Sequence, residues 1–233
     1  MYRKYKISVV IPCYKVSRFI GLVVSKLPSF LDKIYLVDDK CPEYSVKKLQ
    51  TKNKKIVKIY RKINGGVGAA VKTGYRYSLM DKNDITIRVD GDAQMDLKLM
   101  KKFIDPVIDN KAEFTKGNRF KNFVFLKQMP LQRIIGNIFF SIIGNIITKN
   151  FRLFDFLSGY TCIKNNALKK LLKTKIDNDY FFESALIYNA TRLNIRILDI
   201  NIKAIYGNEK SNINIKTFYI ILYKNLKHLF KVR

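Results

Sequence analysis

Short apolar runs alternate with amphipathic stretches over the first ninety residues of the chain. Apolar runs bounded by turn-forming residues predict strands at 7–12, 33–37, 55–60 and 84–90. Between them, apolar positions recur at helical spacing, which predicts helices starting at Ser17, over about 43–51 and over about 69–80. Ser17 is expected to cap the first of these helices. Strands that alternate with helices are typical of a parallel, doubly wound α/β sheet, and further strands are expected at about 113–116, 160–164 and 195–203.

Two later segments have the pattern of amphipathic helices. Segment 131–148 reads LQRIIGNIFFSIIGNIIT, with polar residues recurring among Ile, Phe and Leu, and its flanks are basic at Lys121, Lys127, Arg133, Lys149 and Arg152. It is too polar and too short to predict a membrane span. A helix lying in a membrane interface and a helix packed on the sheet both fit this pattern. Segment 213–230 mixes apolar and basic positions in the same way, so the two segments together favour a protein seated on a membrane surface.

Composition narrows the class of protein. A chain of 233 residues is long enough for one α/β domain, and its net charge of +27 indicates an anionic partner such as a phosphorylated substrate, an acidic membrane or nucleic acid, unless it only reflects abundant surface lysine. Cys13, Cys41 and Cys162 lack the spacing of a disulfide framework or a zinc site. The single histidine, His228, argues against a His-dependent triad. The basic first six residues lack a secretory signal pattern, so we expect a cytoplasmic location.

The densest chemical signal is Asp90-Gly91-Asp92-Ala93-Gln94, which directly follows the fourth predicted strand. Two carboxylates separated by one small residue can hold Mg²⁺ or Mn²⁺ against a diphosphate, because these cations prefer oxygen ligands and take few protein carboxylates. Gly91 is expected to leave room for the ligand, and Gln94 offers a further oxygen. Such a triplet is also common in solvated turns. Its place at the carboxyl end of a parallel strand favours a binding site.

Polar residues also end the neighbouring predicted strands. Asp39, with Asp38, could accept hydrogen bonds from a nucleobase or ribose, or cap the next helix. The loop at 64–68 (NGGVG) lacks both the third glycine of a dinucleotide fingerprint and a complete P-loop, and either faces a phosphate or forms a tight turn. Arg119 is expected to follow a strand beside the Asp90 strand, where it would pair with a diphosphate or lie at the surface.

Two further carboxylates are candidates for a general base. Asp155 lies four residues before Gly159, and Glu183 lies where a helix is expected to begin. For Glu183 the helix dipole alone also explains an acid at this position.

Taken in order, these segments resemble family 2 glycosyltransferases of the polyprenyl-phosphate type, which include the dolichol-phosphate mannosyltransferases. The resemblance spans about residues 7–212 and is carried by segments 7–14, 37–39, 64–74, 90–94 and 117–120, by Asp155 with 158–160, and by Tyr206-Gly207 with Ser211. The chain departs from the family at Lys15-Val16, where Asn-Glu is usual, and at Lys40-Cys41, where Gly-Ser is usual. Basic residues near the last motif are displaced to Lys203 and Lys210. These departures leave the identity of the donor open.

The resemblance implies a GT-A nucleotide-diphospho-sugar transferase fold, inverting transfer and dependence on Mg²⁺ or Mn²⁺. It implies donor contacts from Pro12, Tyr14, Val37, Asp39, Asp90, Gly91, Gln94 and Arg119, with Asp90, Asp92 and Gln94 at the metal. Asp92 and Asp155 are the expected catalytic residues, with Asp155 positioning the acceptor or stabilising the oxocarbenium-like centre. Acceptor-side candidates are Ser158, Glu183, Lys203 and Lys210.

The leading hypothesis is therefore a peripheral enzyme on the cytoplasmic face of the membrane that moves a sugar from a nucleotide diphosphate to a polyprenyl phosphate. The expected catalytic domain is 1–212, with an interface helix at 131–149, followed by a basic C-terminal helix at 213–233. The nearest alternative transfers the sugar to a saccharide hydroxyl of a cell-surface glycan. A basic nucleic-acid-binding protein is the alternative from another class, but no RNA-binding or helix-turn-helix signature is evident, so nucleic acid is not an expected partner. The donor sugar, the nucleotide base and a possible homo-oligomer stay open.

Overall fold

A seven-stranded sheet in the order β3-β2-β1-β4-β6-β5-β7 forms the centre of the protein. The computed structural model describes residues 1–121, 126, 129–203 and 215–230. Lys127, Lys210, the motif at 206–211 and the expected boundary at 212/213 lie outside the described residues. The strands are β1 (Ile7–Cys13), β2 (Lys33–Asp38), β3 (Ile56–Tyr60), β4 (Ile85–Arg88), β5 (Phe114–Asn118), β6 (Thr161–Lys164) and β7 (Ile197–Asn201).

Helices cover both faces of this sheet, as the alternating pattern predicts. They are α1 (Ile20–Ser25), α2 (Ser45–Lys48), α3 (Val67–Met80), α4 (Met100–Ile108), α5 (Leu131–Thr148), α6 (Asn165–Leu171), α7 (Phe182–Arg192) and α8 (Ile215–Phe230). Strands β1 to β4 are parallel neighbours, and their apolar side chains are buried between two core clusters, one on each face. The mostly parallel, doubly wound fold is therefore confirmed.

Two helix predictions are wrong in detail. Phe19, not Ser17, occupies the N-cap position of α1, and the Ser17 hydroxyl donates instead to Glu43 (2.7 Å). Helix α2 has only four residues, because Tyr44 before it is left-handed (φ 55°) and Leu49 after it is extended. Both differences lie in the connection between β1 and β3, where the helical periodicity spans few turns.

The prediction that the strand before Arg119 lies next to β4 is also wrong. β6 lies between β4 and β5 and pairs antiparallel with both, so Arg119 reaches the site from two strands away. The reversal follows from the course of the chain, which leaves β5, passes through α5 and re-enters the sheet in the opposite direction. Because β6 begins directly after residues 158–160, this insertion brings that turn between the Asp90 and Arg119 loops.

Helix α5 buries four polar side chains against the domain and exposes an apolar stripe. Asn137, Ser141, Asn145 and Thr148 are buried against the domain. We define the α5 stripe as Leu131, Ile135, Phe139, Ile142 and Ile146, which recur every three or four residues and are between 41% and 70% exposed. Phe218 of α8 packs beside it, with ring centroids 6.2 Å from Phe139 and 5.1 Å from Phe140. Among the described residues, α5 alone is long and apolar enough to cross a membrane, but one of its faces packs on the domain.

Candidate active site

One cleft of about 100 Å³ at the carboxyl edge of the sheet gathers six of the fourteen site residues expected from sequence. Asp90, Asp92, Gln94, Arg119, Ser158 and Lys203 line it together with residues of the 157–160 turn. Pro12, Tyr14, Val37 and Asp39 lie at the ends of the adjacent strands β1 and β2 and do not line this cleft. Asp155 and Glu183 do not line it either, because each is held behind it by an arginine.

The Asp90–Gln94 turn presents oxygen atoms to this cleft. Asp92 Oδ1 accepts a hydrogen bond from the Gln94 amide (3.0 Å), and Ala93 between them has a left-handed backbone (φ 63°). Carboxylate and amide oxygens suit Mg²⁺ or Mn²⁺, which complete their shells with water and phosphate. The residues therefore fit the expected metal.

Two glycines allow close packing around the motif. A Cβ at Gly91 would lie 3.2 Å from Val16 and 3.4 Å from the Pro12 carbonyl, so Gly91 lets the end of β1 approach. This packing gives Gly91 a structural reason that does not depend on a ligand, and its expected contact with the donor stays a prediction. A Cβ at Gly159 would lie 2.6 Å from Asp90 Oδ2, so the absence of a side chain there lets the β6 turn reach the metal motif.

Arg88, the last residue of β4, connects Asp90 with Glu183. Its Nη2 lies 2.9 Å from Asp90 Oδ1, and its Nη1 donates to Glu183 Oε1 at the start of α7. Burial alone would lower the pKa of Arg88, but Asp90 and Glu183 outweigh it and raise that pKa, so the guanidinium stays charged. Burial raises the pKa of Glu183, and Arg88 opposes this shift. Arg88 was not among the residues expected from sequence, because an arginine at a polar position of an alternating strand gives no indication of a functional role.

Arg119 is held by Asp155 at two points. The Arg119 Nε and Nη2 atoms each lie 2.6 Å from a different oxygen of the fully buried Asp155 carboxylate, and the Arg119 amide donates to it as well (3.0 Å). Burial would raise the pKa of Asp155, but Arg119 and Lys116 hold it below its usual value. Asp155 therefore stays ionised and orients Arg119 instead of facing the cleft.

A buried lysine contacts the backbone next to this ion pair. Lys116 on β5 is fully buried, with Nζ 2.9 Å from Asp199 Oδ1 on β7, and it also donates to the Asp155 carbonyl (3.2 Å). Asp199 Oδ2 accepts from Asn118 (2.7 Å) and from the Phe154 amide (2.8 Å). These contacts fix the 154–155 turn, and no sequence motif pointed to them.

Asp39 directly follows β2 and organises the glycine-rich loop. Its carboxylate accepts from the amides of Gly65 (3.1 Å) and Gly66 (2.8 Å) and pairs with Arg61. The Gly68 amide donates to the Asn178 carbonyl (2.8 Å). The loop therefore forms the tight turn that was one of its two interpretations, and these amides are engaged within the protein rather than turned toward a phosphate.

The geometry at the strand ends agrees with a sequence comparison, in which the profile of glycosyl transferase family 2 matches residues 8–172. The chain belongs to this family. It is 28% identical over 216 residues to the UDP-N-acetylglucosamine–dolichyl-phosphate N-acetylglucosaminyltransferase of Methanococcus voltae, covering 86% of each chain. An uncharacterised protein of Methanocaldococcus jannaschii is 29% identical over 225 residues, covering 95% of this chain and 91% of that protein.

Solved structures share the fold of this family member. Glucosyl-3-phosphoglycerate synthase from Mycobacterium tuberculosis, crystallised with Mn²⁺ and UDP-glucose, superposes with a TM-score of 0.71 at 13% identity, covering 98% of this chain and 79% of that one. The complex of the same enzyme with Mn²⁺, UDP and glucosyl-3-phosphoglycerate gives a TM-score of 0.67 at 13% identity, covering 98% and 80%. The expected GT-A fold is therefore confirmed.

Proposed function

We propose that this glycosyltransferase moves a sugar, with inversion, from a nucleoside diphosphate sugar to a polyprenyl phosphate at a membrane surface, with Mg²⁺ or Mn²⁺ bound. The observation that carries the proposal is the exposed apolar face of helix α5. Its outer face is the α5 stripe, and its inner face contacts the site, because Ser141 accepts a hydrogen bond from the Asp155 amide (2.9 Å). Asp155 in turn holds Arg119 in the cleft. Two contacts, Ser141 with Asp155 and Asp155 with Arg119, thus link the helix that carries the proposed lipid-facing surface to the arginine proposed to bind the diphosphate.

A membrane is the occupant that best suits the α5 stripe. Full burial of one such side chain contributes about 1.5–3 kcal/mol, so partial insertion of the stripe suffices for reversible binding. Lys149 and Arg152 follow directly at the end of the helix and are exposed, beside an exposed Phe151. Cationic residues beside an apolar face complement anionic headgroups. This arrangement supports a peripheral position on the cytoplasmic face.

The ion pairs in the site favour a phosphate acceptor over a saccharide hydroxyl. A hydroxyl acceptor needs a base, yet both candidate bases, Asp155 and Glu183, are engaged by arginines. A phosphate monoester is already ionised near neutral pH and needs no base. The name of the Methanococcus relative, with its dolichyl-phosphate acceptor, points the same way.

The chain's own residues then have distinct tasks. Arg119 binds diphosphate oxygens of the donor, while Asp155 keeps its guanidinium in place. Asp90, Asp92 and Gln94 would hold the cation, which offsets negative charge on the departing diphosphate. Ser158 and Lys203 line the same cleft and are proposed to hold the acceptor phosphate. An acceptor oxygen bonds to the anomeric carbon as the bond from that carbon to the diphosphate breaks on the opposite face. The UDP in the names of the relatives supports a uridine donor.

The direct test is transfer from a panel of UDP- and GDP-sugars, with Mn²⁺, to polyprenyl phosphate in anionic vesicles or to free saccharides. We expect product only with the lipid phosphate. Transfer to saccharides alone would overturn the proposed acceptor, and retention on oligonucleotides but not on vesicles would favour the nucleic-acid alternative.

Membrane binding is tested with a matched pair of variants. Ile135→Ser with Ile142→Ser removes two exposed residues of the α5 stripe, and Leu22→Ser with Met80→Ser removes two exposed apolar residues elsewhere. We expect the first variant to sediment less with anionic vesicles and the second to behave like the wild type. Equal sedimentation of both variants would contradict the proposed surface.

A further inference from the structure

We propose that Arg88 and Glu183 are positioning residues for the metal motif: Glu183 holds Arg88, and Arg88 fixes the Asp90 carboxylate beside the cleft. This inference rests on the proposed function, since it assumes a bound cation and a nucleoside diphosphate. It assigns Glu183 a role other than that of a base.

The first support is the local geometry of β4. Residues two apart in an extended chain point to the same side, so Arg88 and Asp90 project together. The Arg88 guanidinium then reaches Asp90 Oδ1 with Nη2 (2.9 Å) while Nη1 donates to Glu183. One guanidinium therefore connects the loop after β4 with the first turn of α7.

Burial makes this connection rigid. Arg88 and Glu183 are buried, and the guanidinium carbon lies 5.7 Å from the centre of the Phe182 ring. A buried charge that loses its partner is costly, and the planar fork of arginine has few orientations that serve two carboxylates at once. Arg88 thus has little freedom to release Asp90.

The second oxygen of Asp90 lies beside the 158–160 turn, where glycine leaves it room. Oδ2 faces Gly159 so closely that a Cβ there would lie 2.6 Å from it. With Oδ1 on Arg88 and Oδ2 beside the 158–160 turn, Asp90 has at most one oxygen for a ligand. The other carboxylate of the motif, Asp92, accepts from the backbone of its own turn and lines the cleft. Arg88 therefore determines which oxygen Asp90 can offer to a ligand.

The test measures Mn²⁺ binding without turnover, by the loss of the free Mn²⁺ signal in electron paramagnetic resonance, with and without UDP. Partners that orient metal ligands typically change metal affinity by about 10–100-fold. For Arg88→Met we expect about tenfold weaker binding. If Arg88 acted only through its charge, removing a cation beside the site would tighten binding instead, so unchanged or tighter binding overturns the proposal.

Glu183 variants separate positioning from base catalysis. Glu183→Gln keeps an oxygen acceptor for Arg88 and should weaken Mn²⁺ binding less than Glu183→Ala, which should also raise the KM for the donor. A base role predicts that both variants lose kcat equally, which would refute the positioning role. If Arg88→Met does not fold, Arg88→Lys, which can hold only one of the two carboxylates, should show the same loss more mildly.

Failure of the proposed function gives a different result. If the wild type binds neither Mn²⁺ nor UDP, the proposed function fails and takes this inference with it. If the wild type binds both and Arg88→Lys and Glu183→Ala bind Mn²⁺ equally well, only this inference fails.

Discussion

Arg119 and Asp155 form a two-point ion pair, with two nitrogen-to-oxygen distances of 2.6 Å, and the carboxylate is fully buried. The arginine is the more exposed partner and lines the cleft. The buried carboxylate thus fixes a positively charged guanidinium at the edge of the sheet where the donor diphosphate is proposed to bind.

Asp155→Asn should lower both stability and transfer. Losing one partner of a buried pair costs about 3–5 kcal/mol, because the Arg119 guanidinium remains without its carboxylate. Asp105→Asn, which breaks a surface contact with Arg3, is the matched control and should cost less than about 1 kcal/mol. Urea unfolding measures both variants, and equal losses would contradict a structural role for the buried pair.

The same pair should make stability depend on acid pH. The folded-state pKa of Asp155 is lowered, so its contribution is complete above the ordinary aspartate pKa of about 4 and is lost as the pH falls through the lower folded value. Unfolding free energies of the wild type should therefore decline below about pH 4 more steeply than those of Asp155→Asn. Parallel acid profiles of the two proteins would show that the pair does not titrate in this way.

Asp92→Asn should abolish metal-dependent transfer and leave the protein folded. The amide keeps the size of the side chain but removes the negative charge that a hard cation requires. Chelation of divalent cations should likewise stop transfer by the wild type. Thermal unfolding with Mn²⁺ and UDP checks the cause, because ligand binding raises the midpoint of the wild type and should leave that of the variant unchanged. Full activity in Asp92→Asn would contradict the assignment of Asp92 as a metal ligand.

Gly66→Ala should destabilise the protein. Gly66 has φ 86° and ψ 169°, a conformation that costs other residues about 1–3 kcal/mol, and a Cβ there would lie 2.7 Å from the Asn178 carbonyl. Gly136→Ala in α5 is the control, since its Cβ would meet nothing within 4 Å and should stabilise the helix by about 0.5–1 kcal/mol. Opposite signs in thermal unfolding are expected, and a neutral Gly66→Ala would mean that the loop rearranges freely.

Apolar periodicity sufficed to predict the sheet and the position of the site. Each strand is a short run of buried residues, and the carboxyl ends of parallel strands must meet at one edge, so Asp90 and Asp92 could be placed from sequence. Arg119 was expected in the cleft and lies there, but the strand before it is two places from the Asp90 strand instead of beside it. The insertion of β6 depends on long-range pairing, which local patterns do not encode.

The contacts behind the cleft were beyond sequence reasoning for a different reason. Arg88, Lys116 and Asp199 look like ordinary polar positions until the fold buries them, and their importance comes from partners distant along the chain. Gly91 has a second role that the sequence did not indicate. The absence of a side chain there also lets Val16 and Pro12 approach the turn.

The α5 stripe also bears on how the enzyme behaves when no bilayer is present. Its five apolar side chains can leave water either by entering lipid or by meeting the same stripe on a second copy. Self-association and lipid binding would then compete for one surface, so oligomers formed in lipid-free buffer should dissociate when vesicles are added. A dimer measured in such a buffer would then result from the absence of lipid and would not be the form that acts on the donor and acceptor.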